Sequence, residues 1–156
     1  MPYLIDGNNL LGSWGGLGDR GSDRRLEVVR RVAAFCRARS ARATIVFDGA
    51  PFRGDRDQQS LGRVSIRFPP RGVDADTVIR QTVDRSARPS DLIVVSSDKA
   101  LYSYARTRGA AVLRAHEWNA QERRSLRTGS DPADEKPDRE DDVEGWLRRF
   151  GADSEE

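Results

Sequence analysis

Five short runs rich in branched apolar residues, separated by helical patterns and polar loops, limit most strongly what this chain can fold into. They are Pro2–Asp6, Ala43–Asp48 (ATIVFD), Arg63–Phe68 (RVSIRF), Leu92–Ser97 (LIVVSS) and Ala110–Arg114 (AAVLR). Leu26, Val29, Val32, Ala33 and Cys36 recur at three- and four-residue spacing, which predicts a helix over 22–40 with one apolar stripe. Shorter helices are predicted over 74–86 and 99–108, the second closed by Gly109 as a left-handed cap, and a fourth over 116–127. The IVF and LIVV segments are apolar throughout, as parallel strands buried on both faces are. RVSIRF alternates more clearly, which suits an edge. Strands alternating with helices over about 115 residues imply an α/β layered fold.

Composition narrows the chemistry. A chain of 156 residues can bury a substantial core without staples. Cys36 is the single cysteine, so no intrachain disulfide can form, and a place on an apolar helix face is expected for it. His116 is the single histidine, which removes most triads and histidine-rich metal sites. No apolar run approaches the roughly 18 residues of a membrane span, and no signal-peptide pattern is seen. A soluble cytoplasmic protein, with no membrane partner, is expected.

The net charge of +2 conceals a split. Residues 1–128 carry 23 Lys or Arg against 14 Asp or Glu, a balance of +9, whereas residues 129–156 carry 4 against 11, a balance of −7. A basic body points toward a polyanionic partner. The segment 129–142 is polar, acidic and carries two prolines, the composition of a disordered linker. Beyond it, in 143–156, Val143, Trp146, Leu147 and Phe150 fall on one face of a short amphipathic helix. That face either folds back onto the body or docks in the groove of a protein partner.

Acids punctuate the strands. The first run ends in Asp6 (LIDG), the second in Asp48 (VFDG), and the fourth reaches Asp98 two serines on (VVSSD). Asp76 (DADT) lies in the first turn of a predicted helix. In an open α/β sheet the carboxyl ends of parallel strands line one edge, so these acids would converge on one cleft. A hard divalent cation with oxygen ligands, Mg²⁺ or Mn²⁺, would offset their repulsion. The plainer alternative is that each aspartate caps a helix or forms a turn, a role that suits Asp98 and Asp74. Capping alone does not require apolar strands to end in acids this often.

IDGNNLLG, IVFDG, DADTVI and VVSSDKAL, in that order, resemble the PIN-like NYN ribonuclease domain, and particularly its YacP-like branch. The resemblance covers about residues 1–118 and implies a three-layer PIN-like fold: a central, mainly parallel sheet of about five strands flanked by helices, here with an acidic C-terminal tail. The nuclease domain would span 1–128. The resemblance implies a catalytic set of Asp6, Asp76, Asp98 and Asn9, with Asp6, Asp76 and Asp98 as principal Mg²⁺ or Mn²⁺ ligands and Asp48 contributing or close by. It further implies that Asn9 orients Asp6 or a bound water, and that Ser96 and Ser97 support the ligands through their hydroxyls. Asp74 stands where the family often has Glu, and a helix cap is its expected role. The activity implied is endonucleolytic hydrolysis of RNA, in connection with translation and ribosome-bound messenger RNA.

An acidic cleft needs flanking cations to hold a phosphate chain. Arg53, Arg56, Arg63, Arg67 and Arg71 lie between the second strand and the Asp76 helix and are candidate RNA contacts. The alternative for them is a solvated surface. Trp14 is a candidate to stack on a base, or else packs on a neighbouring helix. His116 and Trp118 are expected to be structural. A non-catalytic RNA- or ribosome-binding module is the alternative function. A phosphatase with an aspartyl nucleophile would want D-x-D after the first strand, where this chain has Asn8. The acidic tail is also expected to compete with RNA for the basic body.

Overall fold

The structure, a computed structural model, describes residues 2–14, 24–49 and 58–128. The expectations for Arg53, Arg56, the linker and the tail's apolar face lie outside those residues.

Six strands form one sheet: β1 (Tyr3–Asp6), β2 (Ala43–Val46), β3 (Gln58–Leu61), β4 (Val64–Arg67), β5 (Ile93–Val95) and β6 (Ala111–Leu113). Their order is β3-β4-β2-β1-β5-β6, and every pairing is parallel except the β3–β4 hairpin. Five of the six coincide with the apolar runs. The strand not foreseen is β3, cut from a polar stretch read as loop; it takes the edge outside β4. The described residues also form five α-helices: α1 (Gly7–Ser13), α2 (Arg25–Arg39), α3 (Ala75–Arg85), α4 (Lys99–Thr107) and, after the last strand, α5 (Ala115–Thr128). Of these α1 was not foreseen, and it follows β1 without a break.

Alternation along the strands sends successive side chains to opposite faces. Tyr3 and Ile5 join one core with Leu10 of α1, the α2 stripe, Ile45, Phe47 and Trp118 of α5. Leu4, between them, joins the other with Val46, Val78 and Ile79 of α3, and Leu101 and Ala105 of α4. The result is three layers: α1, α2 and α5 on one side, the sheet, and α3 with α4 on the other. Cys36 is buried as expected. Gly109, at φ +96, follows the end of α4 where the cap was expected. None of the described helices is long and apolar enough to cross a membrane.

The winding fixes where a ligand can sit. From β1 the chain steps to β2 on one side, and later crosses through α3 to β5 on the other side of β1. The reversal opens a crevice at the carboxyl ends of β2, β1 and β5. Asp6, Val46 and Arg67 share one register level there.

Candidate active site

Asp6 is the last residue of β1 and also the N-cap of α1, because its Oδ1 accepts the Asn9 backbone N–H at 3.4 Å. Its Oδ2 accepts the Ser96 hydroxyl at 3.3 Å. The carboxyl is pushed up to about 6 from its ordinary 3.8, first by burial and then by repulsion from Asp48 and Asp76, against the lowering effect of the Asn9 and Ser96 hydrogen bonds. A half-buried carboxylate flanked by two more favours the neutral form. Asp48 and Asp76 therefore stand near enough to Asp6 for their charge to be felt, although they come from β2's end and from α3.

The two consecutive asparagines of α1 splay to either side of β1. Asn8 Oδ1 accepts the Asp48 backbone N–H at 2.7 Å. Asn9 Oδ1 accepts the Ser97 backbone N–H at 2.7 Å, so Asn9 touches Asp6 with its main chain and the β5 loop with its side chain. Their departure point is set by Gly7. A Cβ there would fall 2.5 Å from two ring carbons of Phe47 and 2.9 Å from Ile45 Cγ2, so only glycine lets α1 sit this close to the sheet.

Three of the remaining acids serve a helix end. Asp48 Oδ1 accepts the Ala75 N–H at 2.7 Å, holding the start of α3. Asp74 caps that helix through Thr77, with N–H and hydroxyl donors at 2.9 and 2.6 Å, and these bonds hold its carboxyl below the usual range. Asp98 caps α4 by accepting the Leu101 N–H at 3.0 Å. Asp76, in the first turn of α3, forms an ion pair with Arg80 at 2.5 Å. Asp48 and Asp98 each spend Oδ1 on a backbone N–H, and neither Oδ2 takes a hydrogen bond among the described residues.

Ser96 links two acids. Its buried hydroxyl donates to Asp6 and accepts the Asp98 N–H at 3.1 Å. Ser97 Oγ accepts the Ala115 N–H at 3.0 Å and so anchors α5. Asp6 and Asp98 are thus joined through one side chain, and Asp6, Asp48 and Asp76 through charge. Among the described residues no group of three or more His, Cys, Asp or Glu is gathered as a ready-made metal cage. The donor set is nonetheless one of hard oxygens: a half-buried carboxyl under repulsion, with open oxygens on Asp48 and Asp98 nearby. That chemistry fits Mg²⁺ or Mn²⁺.

The candidate RNA contacts separate. Arg67 ends β4 at the level of Asp6 and donates to Thr82 Oγ1 at 3.5 Å, while Arg71 is exposed in the turn before α3. Arg63 precedes β4 and its carbonyl accepts the Ala43 N–H at 3.1 Å, which puts it at the opposite end of the strands from the acids. Trp14 ends α1 with its indole N–H on Asn119 Oδ1 at 2.8 Å and the Arg31 guanidinium 3.9 Å from its ring centre. Packing on the neighbouring helices is therefore the arrangement seen. Arg31 in turn forms a two-pronged pair with the buried Glu122, its Nε on Oε2 at 2.9 Å. Trp118 is fully buried against Phe35 at 5.2 Å between centroids, and His116 is exposed in the first turn of α5. Sequence reasoning gave Asn8 no role in the site and did not single out Arg80; their partners are supplied only by the fold or a helix turn.

A family model described as the YacP-like NYN domain matches residues 3–147. The crystal structure of Rae1 (YacP) from Bacillus subtilis superposes with a TM-score of 0.67 at 22% identity, covering 81% of this chain and 76% of that one. Its W164L mutant superposes with a TM-score of 0.64 at 21% identity, covering 81% and 77%. At such identity these likenesses establish the fold. No curated protein gives a significant match.

Proposed function

The chain belongs to the YacP-like NYN domain family, and from that premise we propose that it is a divalent-metal-dependent endoribonuclease hydrolysing RNA phosphodiester bonds. NYN domains are PIN-like nuclease domains, and nucleases of this kind typically work with divalent metal ions. The observation that carries the reading is Asp6: a carboxyl raised to about 6 by burial and by two neighbouring acids, at the carboxyl edge of the sheet. A carboxyl perturbed by burial and by neighbouring charge in a crevice points to a functional site.

Asp6, Asp48, Asp76 and Asp98 would hold Mg²⁺ or Mn²⁺ through their oxygens. Such an ion supplies hydroxide near neutral pH and stabilises charge on the leaving oxygen. Ser96 keeps Asp6 ionisable by donating to it, and Asn9 fixes the loop that bears Asp98. Arg67 and Arg71 flank the acids and can pair with backbone phosphates, which makes binding fall with salt. Following the family resemblance, the substrate is messenger RNA in connection with translation.

The test is cleavage of single-stranded RNA by purified protein with Mn²⁺, against Asp6→Asn and Asp98→Asn. Asparagine retains a capping oxygen, so Asp98→Asn should fold. Loss of cleavage in both supports the site, and cleavage unaffected in both overturns it. The second reading, an RNA- or ribosome-binding module that does not cut, is favoured by the Asp76–Arg80 pair, which already neutralises one acid. RNA binding without cleavage in the same assay would select it.

A further inference from the structure

We propose that Asn8 is a positioning residue of the acidic site: its side-chain oxygen fixes Asp48, and through Asp48 the end of α3 that carries Asp76. The inference rests on the metal-dependent reading above and deepens it.

Two hydrogen bonds in series carry it. Asn8 Oδ1 accepts the Asp48 N–H at 2.7 Å, Asp48 Oδ1 accepts the Ala75 N–H at 2.7 Å, and Ala75 is followed by Asp76. An asparagine in a first helical turn ordinarily bonds to backbone within a few residues. Asn8 reaches 40 residues along the chain instead. It is exposed, so the bond is not needed to satisfy a buried amide. Its partner is the amide two residues beyond β2, one past the Phe47 N–H that donates to the Arg67 carbonyl at 3.1 Å, where bonding to the neighbouring strands ends among the described residues.

The next bond explains why that direction matters. A helix start has orphan N–H groups, and α3 satisfies them twice. Asp74 does so locally at Thr77, which holds the helix shape and says nothing of its place. Asp48 does so from another strand, which ties α3 to the sheet. With Asp48 Oδ1 committed to Ala75, Oδ2 is left over, and the twist of the Asp48 backbone decides where it points. Asn8 sets that twist. Its origin is itself rigid, because Gly7 is wedged against Phe47 and Ile45 of the same strand region. Asn9 makes the matching bond to Ser97 on the other side, so each half of the acid set has its own asparagine.

Asn8→Ala tests this in the full chain, since alanine is a better helix former and should not weaken α1. Two readouts are taken: Mn²⁺ affinity by calorimetry, with Asp6→Asn as the reference for a lost site, and amide exchange at Ala75 and Ser97 without metal. The proposal expects Mn²⁺ affinity to fall about tenfold, the usual lower cost of losing an outer contact to a metal ligand. It also expects faster exchange at Ala75 with Ser97 unchanged. Wild-type Mn²⁺ affinity in Asn8→Ala, while Asp6→Asn has lost it, overturns the role of Asn8 and leaves the metal reading standing. Equal acceleration at Ala75 and Ser97 also overturns it, since α1 would then merely have loosened. Absence of Mn²⁺ binding to the wild-type protein overturns both.

Discussion

The Ser96 hydroxyl donates to Asp6 Oδ2 at 3.3 Å while accepting the Asp98 backbone N–H, so one small side chain holds two acids from two strand ends. Ser96→Ala removes a bond that lowers the Asp6 carboxyl and should drive it above about 6. It also leaves the Asp98 N–H without its partner, for a stability loss of about 1–2 kcal/mol. Mn²⁺ titrations from pH 5 to 8 should show the pH of half-maximal affinity moving upward. An unmoved midpoint would mean that Ser96 does not tune Asp6.

Asp6 should make the metal-free protein less stable as pH rises. A carboxyl raised in the folded state, here from 3.8 to about 6, favours folding fully below 3.8, and that contribution is lost as pH rises through 6. Asp6→Asn has no such loss, so in EDTA its stability relative to the parent should improve between pH 4 and 7.5, by up to about 3 kcal/mol. Mn²⁺ should raise the parent's stability at pH 7.5 more than at pH 5, because the ion binds the ionised form. Urea unfolding at the two pH values measures both effects. A constant difference between variant and parent across pH contradicts the half-buried, repelled carboxyl.

Gly7→Ala should cost stability and function together. The new Cβ meets two Phe47 ring atoms at 2.5 Å, in a ring with no exposure and no room to turn. Overpacking of this kind costs about 1–3 kcal/mol, and relief by lifting α1 would carry Asn8 and Asn9 away from Asp48 and Ser97. Thermal unfolding together with Mn²⁺ affinity checks it. A variant with parental affinity would show that α1 need not sit so close.

Glu122→Ala probes the scaffold rather than the site. It strips the two-pronged partner from Arg31, which also covers Trp14, and leaves that guanidinium facing a buried hole. Because Arg31 is itself a third exposed and can recruit water, the loss should be about 2–3 kcal/mol, somewhat below that of a fully buried pair. Denaturant unfolding should show it, with Mn²⁺ affinity unchanged.

Much of this architecture was legible because strong apolar runs and their periods leave few options. β1, β2, β4, β5 and β6 stand where branched residues cluster, and α2 follows its stripe. The misses have physical reasons. α1 opens with Gly7-Asn8-Asn9, turn formers whose local preference is overruled by packing of Leu10 into the core. β3 (QQSL) offers a single apolar residue, the buried Leu61, and takes an antiparallel edge, so no run of branched residues announces it. Its signal was Gly62, at φ +55, in a two-residue hairpin turn between Leu61 and Val64. Arg63 was grouped with Arg67 because they are near in sequence, yet a strand lies between them and sends them to opposite ends. The acids were legible as strand punctuation. What was not legible was their division of labour, since the bonds of Asp48 to Ala75, Asn8 to Asp48 and Ser96 to Asp6 all join distant segments.

The most direct test is a crystal of the protein soaked in Mn²⁺ at neutral pH, with the ion located by anomalous scattering. The account predicts a peak within about 2.5 Å of an Asp6 oxygen and of at least one oxygen from Asp48, Asp76 or Asp98. No peak at Asp6, or an ion bound only elsewhere on the molecule, would contradict it.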